Sequence, residues 1–384
     1  MALDLDEMLL WAGERSASDL FLRANTPPSV RIHGHIAGTD FPVMTADEVH
    51  TLCMGKMTPR QQKAFEETSE MDLAFSIGEE LRIRMNVYNQ RGHTATVCRL
   101  IPTKIKSLEE LGIPLKVRDF LVHRAGLILV TGPTGCGKTT TLAAMIDILN
   151  STRRVNIVSV EDPIEFVHKD KLAVISQREV GIDTLSFQAA LTHVLRQAPD
   201  VILIGEMRDI ETMNVALQAA ETGHLVFATV HTASAAETLD RISNMFQPHE
   251  RQMLWLRLSV SLRGVLSQKL VPTADGSGRL AAVEVMDITP TIVKMVEEGR
   301  SDDIYSAIRQ AGTESYWGMQ TMNQCLLRYL KSGLITEQDA LANAGQPTEM
   351  RQLIRVAASK GEITADSAGA AAPQVPGLPV APSG

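Results

Sequence analysis

Residues 132–139 read GPTGCGKT, a full match to the spacing G-x-x-x-x-G-K-[ST] of a phosphate-binding loop. Each residue type has a physical reason. Gly132, Gly135 and Gly137 let the backbone curl until its amides face phosphate oxygens. A helix that follows presents its positive end to the same oxygens. Lys138 supplies a point charge to the β- and γ-phosphates, and the Thr139 hydroxyl is suited to Mg²⁺. The expected ligands are therefore ATP and Mg²⁺. The candidate cradle is Gly132, Pro133, Thr134, Gly135, Cys136, Gly137, Lys138, Thr139 and Thr140. Cys136 reads as a small spacer whose backbone matters, or as a thiol that makes the loop sensitive to oxidation.

Hydrolysis at such a loop needs an acidic group for the metal and something to orient water. In open α/β sheets these belong at the carboxyl ends of strands. The segment VSVEDPIEF, 158–166, puts Glu161, Asp162 and Glu165 at a strand exit. Carboxylates there can polarise water, or they can form a solvated acidic turn; the spacing fits both. In APDVILIGEMRD, 198–209, an apolar strand ends at Gly205-Glu206. This resembles a Walker B element with glycine where many P-loop proteins carry an acid. Glu206 is then left to serve the metal through water. In ETGHLVFATVHT, 221–232, His224 and His231 bracket a strand. Seven strand residues span roughly 23 Å, so both imidazoles cannot reach one γ-phosphate in one subunit. His231, at the carboxyl end, is the candidate γ-phosphate sensor; His224 reads as structural or interfacial.

The elements that must position these groups are legible in outline. The apolar runs GLILVT, VNIVSV, VILI and LVFATV are separated by helical segments, which predicts βαβ units around a buried parallel sheet. Leu142, Met145, Ile146 and Leu149 keep helical spacing after Lys138. Asp209 is placed to cap a helix ended by Gly223, and Ser234 with Glu237 to form a capping box for a helix carrying Leu239, Ile242 and Phe246. Residues 248–270 and 315–345 read as mostly helical.

Ahead of this lies a mixed α and β segment, 1–100. Leu5, Met8, Leu9 and Ala12 share one helical face. Leu81, Ile83, Met85 and Val87 alternate with Arg82, Arg84, Asn86 and Tyr88, which predicts a half-buried strand with two arginines on its wet face. The expected division is an N-terminal domain over 1–100, a linker over 101–114, an ATPase domain with a helical C-terminal part over 115–365, and a disordered tail over 366–384. The tail is rich in Ala, Pro and Gly with few large apolar groups. No internal repeat is visible.

Composition sets bounds. The 384 residues carry 37 Lys and Arg against 45 Asp and Glu, a formal charge of −8. That balance argues against a protein that coats nucleic acid, and no nucleic-acid partner is expected. Aromatics are only 4%, so the core must be aliphatic, with the 17 Met as adaptable packing. Cys53, Cys98, Cys136 and Cys325 are scattered without a CxxC pair, which excludes a zinc site of usual spacing and fits reduced thiols. The N-terminus is acidic and amphipathic, unlike a signal peptide. No apolar run reaches the roughly 18–20 residues of a membrane span, so work at a membrane would require recruitment.

Together these ordered motifs resemble the secretion ATPase superfamily of type II secretion and type IV pili, in which they are the Walker A, Asp box, Walker B and His box. Within it they resemble most the pilus retraction ATPases, PilT and PilU. The resemblance extends over nearly the whole chain: SASDLFLRANTPPSVRIHG, RIRMNVYNQRG at 82–92, EDPIEFVH, QREVGIDTLSF, LRQAPDVILIGEMRD, AETGHLVFATVHT and GMQTMNQ at 318–324. It implies an α/β protein, a PAS-like α+β domain followed by a RecA-like P-loop NTPase domain, assembled as a homo-hexameric ring. It implies Glu165 as general base, Glu206 as Mg²⁺ support, and arginines from the N-terminal domain that complete the site, in part from the neighbouring subunit; Arg82, Arg84 and Arg99 are the candidates. It further implies a cytoplasmic motor, docked on the inner-membrane pilus platform protein at the pilus base, that drives retraction and twitching motility.

Two details refine the resemblance. Assembly ATPases of pili and type II secretion usually carry a four-cysteine zinc element, which these cysteines cannot form. Retraction motors carry an AIRNLIRE motif after the core; here the matching stretch is TIVKMVEEG, 291–299, with Val293 and Glu297 where arginines stand. That departure, with LRQAP before the Walker B strand, leans toward an accessory, PilU-like motor working with a paralogous one. The rival readings are a RecA-like nucleic-acid translocase and a non-catalytic nucleotide-binding regulator.

Overall fold

Leu5, Met8, Leu9 and Ala12 are all buried on one face of the helix Leu5–Glu14, as their spacing requires. The computed structural model describes residues 4–363 apart from Ser16, His33, Glu79, Glu80, Thr103 and residues 313–317. The tail expected over 366–384 and the start of the stretch 315–345 therefore lie outside the described residues. The chain divides into two units, Met1–Ile105 with Glu165–Val167, and Lys106–Ile164 with His168–Gly384.

The first unit is an antiparallel sheet with helices. Its strands are β1 (Ala17–Leu22), β2 (Ser29–Ile32), β3 (His35–Gly38), β4 (Glu70–Ile77), β5 (Leu81–Gln90) and β6 (His93–Pro102), in spatial order β3-β2-β1-β6-β5-β4. On β5, Leu81, Ile83, Met85 and Val87 are buried, so the alternation read from the sequence is the one the sheet uses. The helices Ala46–Met54 and Pro59–Thr68 each begin with a capping box, Thr45 with Glu48 and Thr58 with Gln61.

The second unit is built on a seven-stranded sheet. Its strands are β7 (Gly126–Thr131), β8 (Asn156–Glu161), β9 (Val174–Glu179), β10 (Val201–Ile204), β11 (Leu225–Val230), β12 (Leu262–Pro272) and β13 (Arg279–Asp287). The order is β13-β12-β7-β11-β10-β8-β9, parallel except for β13 at the edge. β7 and β11 are buried at every residue, because helices cover both faces. The helix Lys138–Thr152 buries Leu142, Met145, Ile146 and Leu149, and Asp209 caps the helix Ile210–Glu221 through Thr212 N at 2.7 Å. Leu108 and Ile113, inside the segment expected as a linker, are buried in the core of this unit.

Two expectations need correction. Residues 248–270 are not one helical stretch: the helix Arg251–Ser261 gives way at Leu262 to β12. Gly264, Val265, Leu266 and Ser267 are buried on both faces of that strand, so no period-two alternation marks it in the sequence. Gly264 is required there, since a Cβ would lie 2.5 Å from the Phe120 ring. β9 and β13 are likewise absent from the elements legible in the sequence. Finally, the box at Ser234 is only half formed. Ser234 Oγ accepts from Glu237 N at 3.2 Å, but Glu237 Oε2 accepts from Ala233 N at 2.8 Å.

Among the described residues no helix is long and apolar enough to cross a membrane.

Candidate functional site

The phosphate loop joins the carboxyl end of β7 to the helix Lys138–Thr152. Gly132, Gly135 and Gly137 have φ of +143°, +77° and +90°, a region side chains rarely adopt. Two of them also lack room. A Cβ on Gly132 would meet Gln268 O at 2.3 Å, and one on Gly137 would meet Gln268 Nε2 at 2.8 Å. Pro133, Thr134 and Gly135 are exposed at the tip, Gly137, Thr139 and Thr140 are half-buried, and Cys136 and Lys138 are buried. Lys138 Nζ donates to Gly132 O at 2.8 Å and to Pro133 O at 3.1 Å. A nearly buried ammonium over carbonyls of its own loop is poised for an anion. Burial works to raise the Cys136 thiol's pKa and outweighs the charge of Lys138, so it stays a neutral spacer rather than a reactive thiolate.

Two further groups reach the same place because of strand order. β11 lies beside β7 and β10 beside β11, all parallel, so their carboxyl ends share one edge. Glu206 follows β10 and His231 follows β11. His231 Nε2 lies 3.0 Å from Glu206 Oε1, and Arg208 Nη2 donates to Glu206 Oε2 at 2.6 Å. Burial works to raise the Glu206 pKa, yet the Arg208 hydrogen bond and the charges of His231, Arg208 and Lys138 outweigh it and hold the carboxyl below its ordinary value. Burial and the Lys138 charge lower the His231 pKa, against the pull of Glu206, so the imidazole is neutral near pH 7. Strand order thus brings Glu206 and His231 to the sheet edge where the phosphate loop begins, and the Lys138 charge works to lower the pKa of both.

Gly205 stands where an acid might be expected because a Cβ there would lie 3.2 Å from Val160 O and 3.3 Å from Glu161 Cα. Glu161 is not part of a solvated acidic turn. It is buried, with its Oε1 accepting from Ser159 Oγ at 2.6 Å and Gln177 Nε2 at 3.0 Å. Asp162 is exposed, and Glu165 is half-buried in the segment that groups with the first unit. His224 Nδ1 lies 3.0 Å from Ala219 O and 3.2 Å from Thr222 Oγ1, tying off a helix end at the opposite edge of the sheet.

In the first unit, Arg84 on β5 faces Arg99 on β6 directly across the ladder, and Arg82 is two residues along the same strand. Arg99 Nε donates to Asp19 Oδ1 at 3.1 Å, while Arg31 Nε takes Oδ2 at 3.1 Å. Asp19 is buried beneath them, so Arg99 is anchored at its Nε while its side chain stays 64% exposed.

Sequence reasoning missed two residues. Arg208 sits two positions from Glu206, and a charge-pair reading of GEMRD could have found it. Gln268 Nε2 donates to Cys136 O at 2.7 Å, and its Oε1 accepts from Thr141 Oγ1 at 2.8 Å. Its one signal is a polar residue inside an apolar run, which must bond something.

Residues 5–326 match the family model of type II/IV secretion system proteins. The chain belongs to that family. It is 44% identical to the type IV pilus retraction ATPase PilT of Pseudomonas aeruginosa, over 90% of this chain and 99% of that protein. It is 38% identical to the type IV pilus ATPase PilU of the same organism, over 92% of each. A crystal structure of the pilus retraction motor PilT with bound ADP superposes with a TM-score of 0.85 at 41% identity, covering 91% of this chain and 99% of that one. The fold is thus the α/β fold of these ATPases.

Proposed function

We propose that this protein is a Mg²⁺-dependent ATP hydrolase that powers type IV pilus retraction. The observation that carries ATP hydrolysis is the meeting of Glu206 and His231, 3.0 Å apart, at the sheet edge where a loop with three positive-φ glycines and Lys138 begins. Likeness to PilT along nearly its full length supports the retraction role. In this reading the first unit is PAS-like and the second RecA-like, and six copies form a cytoplasmic ring against the inner-membrane platform protein.

The donor set fits the ligand. Loop amides and Lys138 hold the phosphates. The Thr139 hydroxyl would hold Mg²⁺ directly, and Glu206 would hold it through water. When bound, Mg²⁺ neutralises charge on the β- and γ-oxygens. Neutral His231 donates a hydrogen bond from its Nε2–H to Glu206 Oε1 and so registers the charge state of that carboxylate. Glu165 is the general base, and arginines from the set Arg82, Arg84 and Arg99 act on the nucleotide of a neighbouring subunit.

A second reading, an accessory PilU-like motor, is favoured by TIVKMVEEG. In the helix Pro290–Glu297, Ile292 and Val296 are buried while Glu297 is exposed, so an acid stands where retraction motors present an arginine. The test is deletion of the gene with labelled pili under observation. Loss of retraction supports the main reading. Retraction that weakens only under load or in a strain lacking a paralogue supports the accessory one. Hydrolysis stimulated by DNA or RNA would instead favour a nucleic-acid translocase.

A further inference from the structure

The phosphate loop is not self-supporting. Two consecutive residues of β12 hold it at both ends. At its entry, Thr131 Oγ1 donates to Ser267 Oγ at 2.9 Å. At its exit, Gln268 bridges Cys136 O and Thr141 Oγ1, the latter in the first turn of the helix that follows. All four side chains of this network are buried, and both polar ends of the Gln268 amide are used. The backbone has been shaped around it: Gly132 makes room for the Gln268 carbonyl, and Gly137 for the Gln268 amide nitrogen.

The peptide between Cys136 and Gly137 is planar and trans, so its carbonyl and its N–H point in opposite directions. Gln268 pulls the carbonyl toward β12. The Gly137 N–H is thereby turned away from β12, as a phosphate-facing amide must be. Thr141 adds the second constraint. Its hydroxyl donates to Gln268 Oε1 and anchors that end of the amide, while Cys136 O, which can only accept, sets the flip that presents Nε2 to it. A flipped amide would set a carbonyl against a carbonyl.

We propose that Gln268 is a positioning residue for nucleotide binding, orienting the 136–137 peptide of the phosphate loop, and that Thr141 acts only by anchoring the Gln268 amide. This rests on the nucleotide-binding reading above. It places part of the phosphate site on a strand far from the loop in sequence. β12 also pairs with β13 and carries Lys269, whose Nζ donates to Asn343 O at 2.9 Å, so the loop shares a rigid strand with the C-terminal helices.

The experiment is a double-mutant cycle in the full-length protein with Gln268→Met and Thr141→Val, reading MgATP KM, kcat and thermal midpoint. Methionine keeps the volume but loses both hydrogen bonds. We expect Gln268→Met to raise KM about tenfold with a smaller change in kcat, and Thr141→Val to raise it about threefold in the native background. In the Gln268→Met background Thr141→Val should add no further change in KM. Gln268→Glu, which keeps the acceptor for Thr141 but loses the donor to Cys136 O, should bind MgATP at least as poorly as the methionine variant. A purely structural role predicts a lower thermal midpoint with KM unmoved, and that result overturns the proposal. So does a Thr141→Val effect that is as large in the Gln268→Met background as in the native one. If the native protein itself fails to bind MgATP, the nucleotide reading fails instead, so the two failures are distinguishable.

Discussion

His231 Nε2 sits 3.0 Å from Glu206 Oε1, so the group that ends β11 is tied to the group that ends β10. The contact crosses two neighbouring parallel strands at the edge where the phosphate loop begins. A change in charge at either residue is therefore felt by the other and by Lys138.

Acidification should weaken the fold through this pair. The His231 pKa is lowered in the folded state, so the unfolded chain takes up the proton first. The contribution is complete above about pH 6.5 and is lost as pH falls toward the folded value. Glu206, also lowered, adds a loss at still lower pH, below its ordinary carboxylate value. The difference in thermal midpoint between native protein and His231→Gln should be constant above about pH 6.5 and shift against the native protein as pH drops below it. Parallel curves across the range would exclude the assignment.

Glu284 should act with the opposite sign. It is fully buried on β13, where its Oε1 accepts from Ala235 N at 2.8 Å, and burial pushes its carboxyl up to about 7. The folded state keeps the proton longer than the unfolded chain, so stability declines as pH rises from about 4.5 through 7. Glu284→Gln should remove this decline, gaining thermal midpoint relative to native protein between pH 7 and 8. A constant difference at every pH sinks the idea.

Lys138→Ala removes the ammonium that bridges the carbonyls of Gly132 and Pro133. Hydrolysis should fall by at least about 10²-fold, with weakened nucleotide binding by fluorescence titration. Activity within a few-fold of native would show that the loop is not the catalytic site.

Glu165→Gln should leave nucleotide binding within about threefold while turnover drops by roughly 10²–10⁴-fold, the range of a lost general base. Normal hydrolysis in this variant ends the assignment of Glu165.

Two loop glycines should separate strain from crowding. Gly132→Ala meets Gln268 O at 2.3 Å at a φ of +143°, and should cost about 2–4 kcal/mol with loss of ATP binding. Gly135→Ala has open space and a φ of +77°, and should cost about 1 kcal/mol. Denaturant melts of the two variants decide it; equal losses would mean that the approach of β12 does not shape the loop.

Features that depend on near neighbours in the chain were legible from the residues alone. The loop is eight consecutive residues, and the strand and helix that hold it are written in local apolar spacing. Leu81 to Val87 alternate because one face of that strand is buried and the other is not, and Leu142, Met145, Ile146 and Leu149 are buried as their helical spacing predicts. Glu206 and His231 were legible as candidates because each directly follows an apolar run. Tertiary structure decided what joins them. Strand order set β10, β11 and β7 side by side, so that two separate strand exits became one site. It turned 262–272 into a strand buried at every residue from Gly264 to Gln268, which erased the alternation that would have announced it. It buried Glu161, which the sequence groups with Asp162 and Glu165, under Ser159 and Gln177. Above all it brought Gln268 to Cys136 across 132 positions. A hydrogen bond at that separation leaves no periodic trace, because the pairing is set by the packing of β12 on β7 and not by the residues on either side of it.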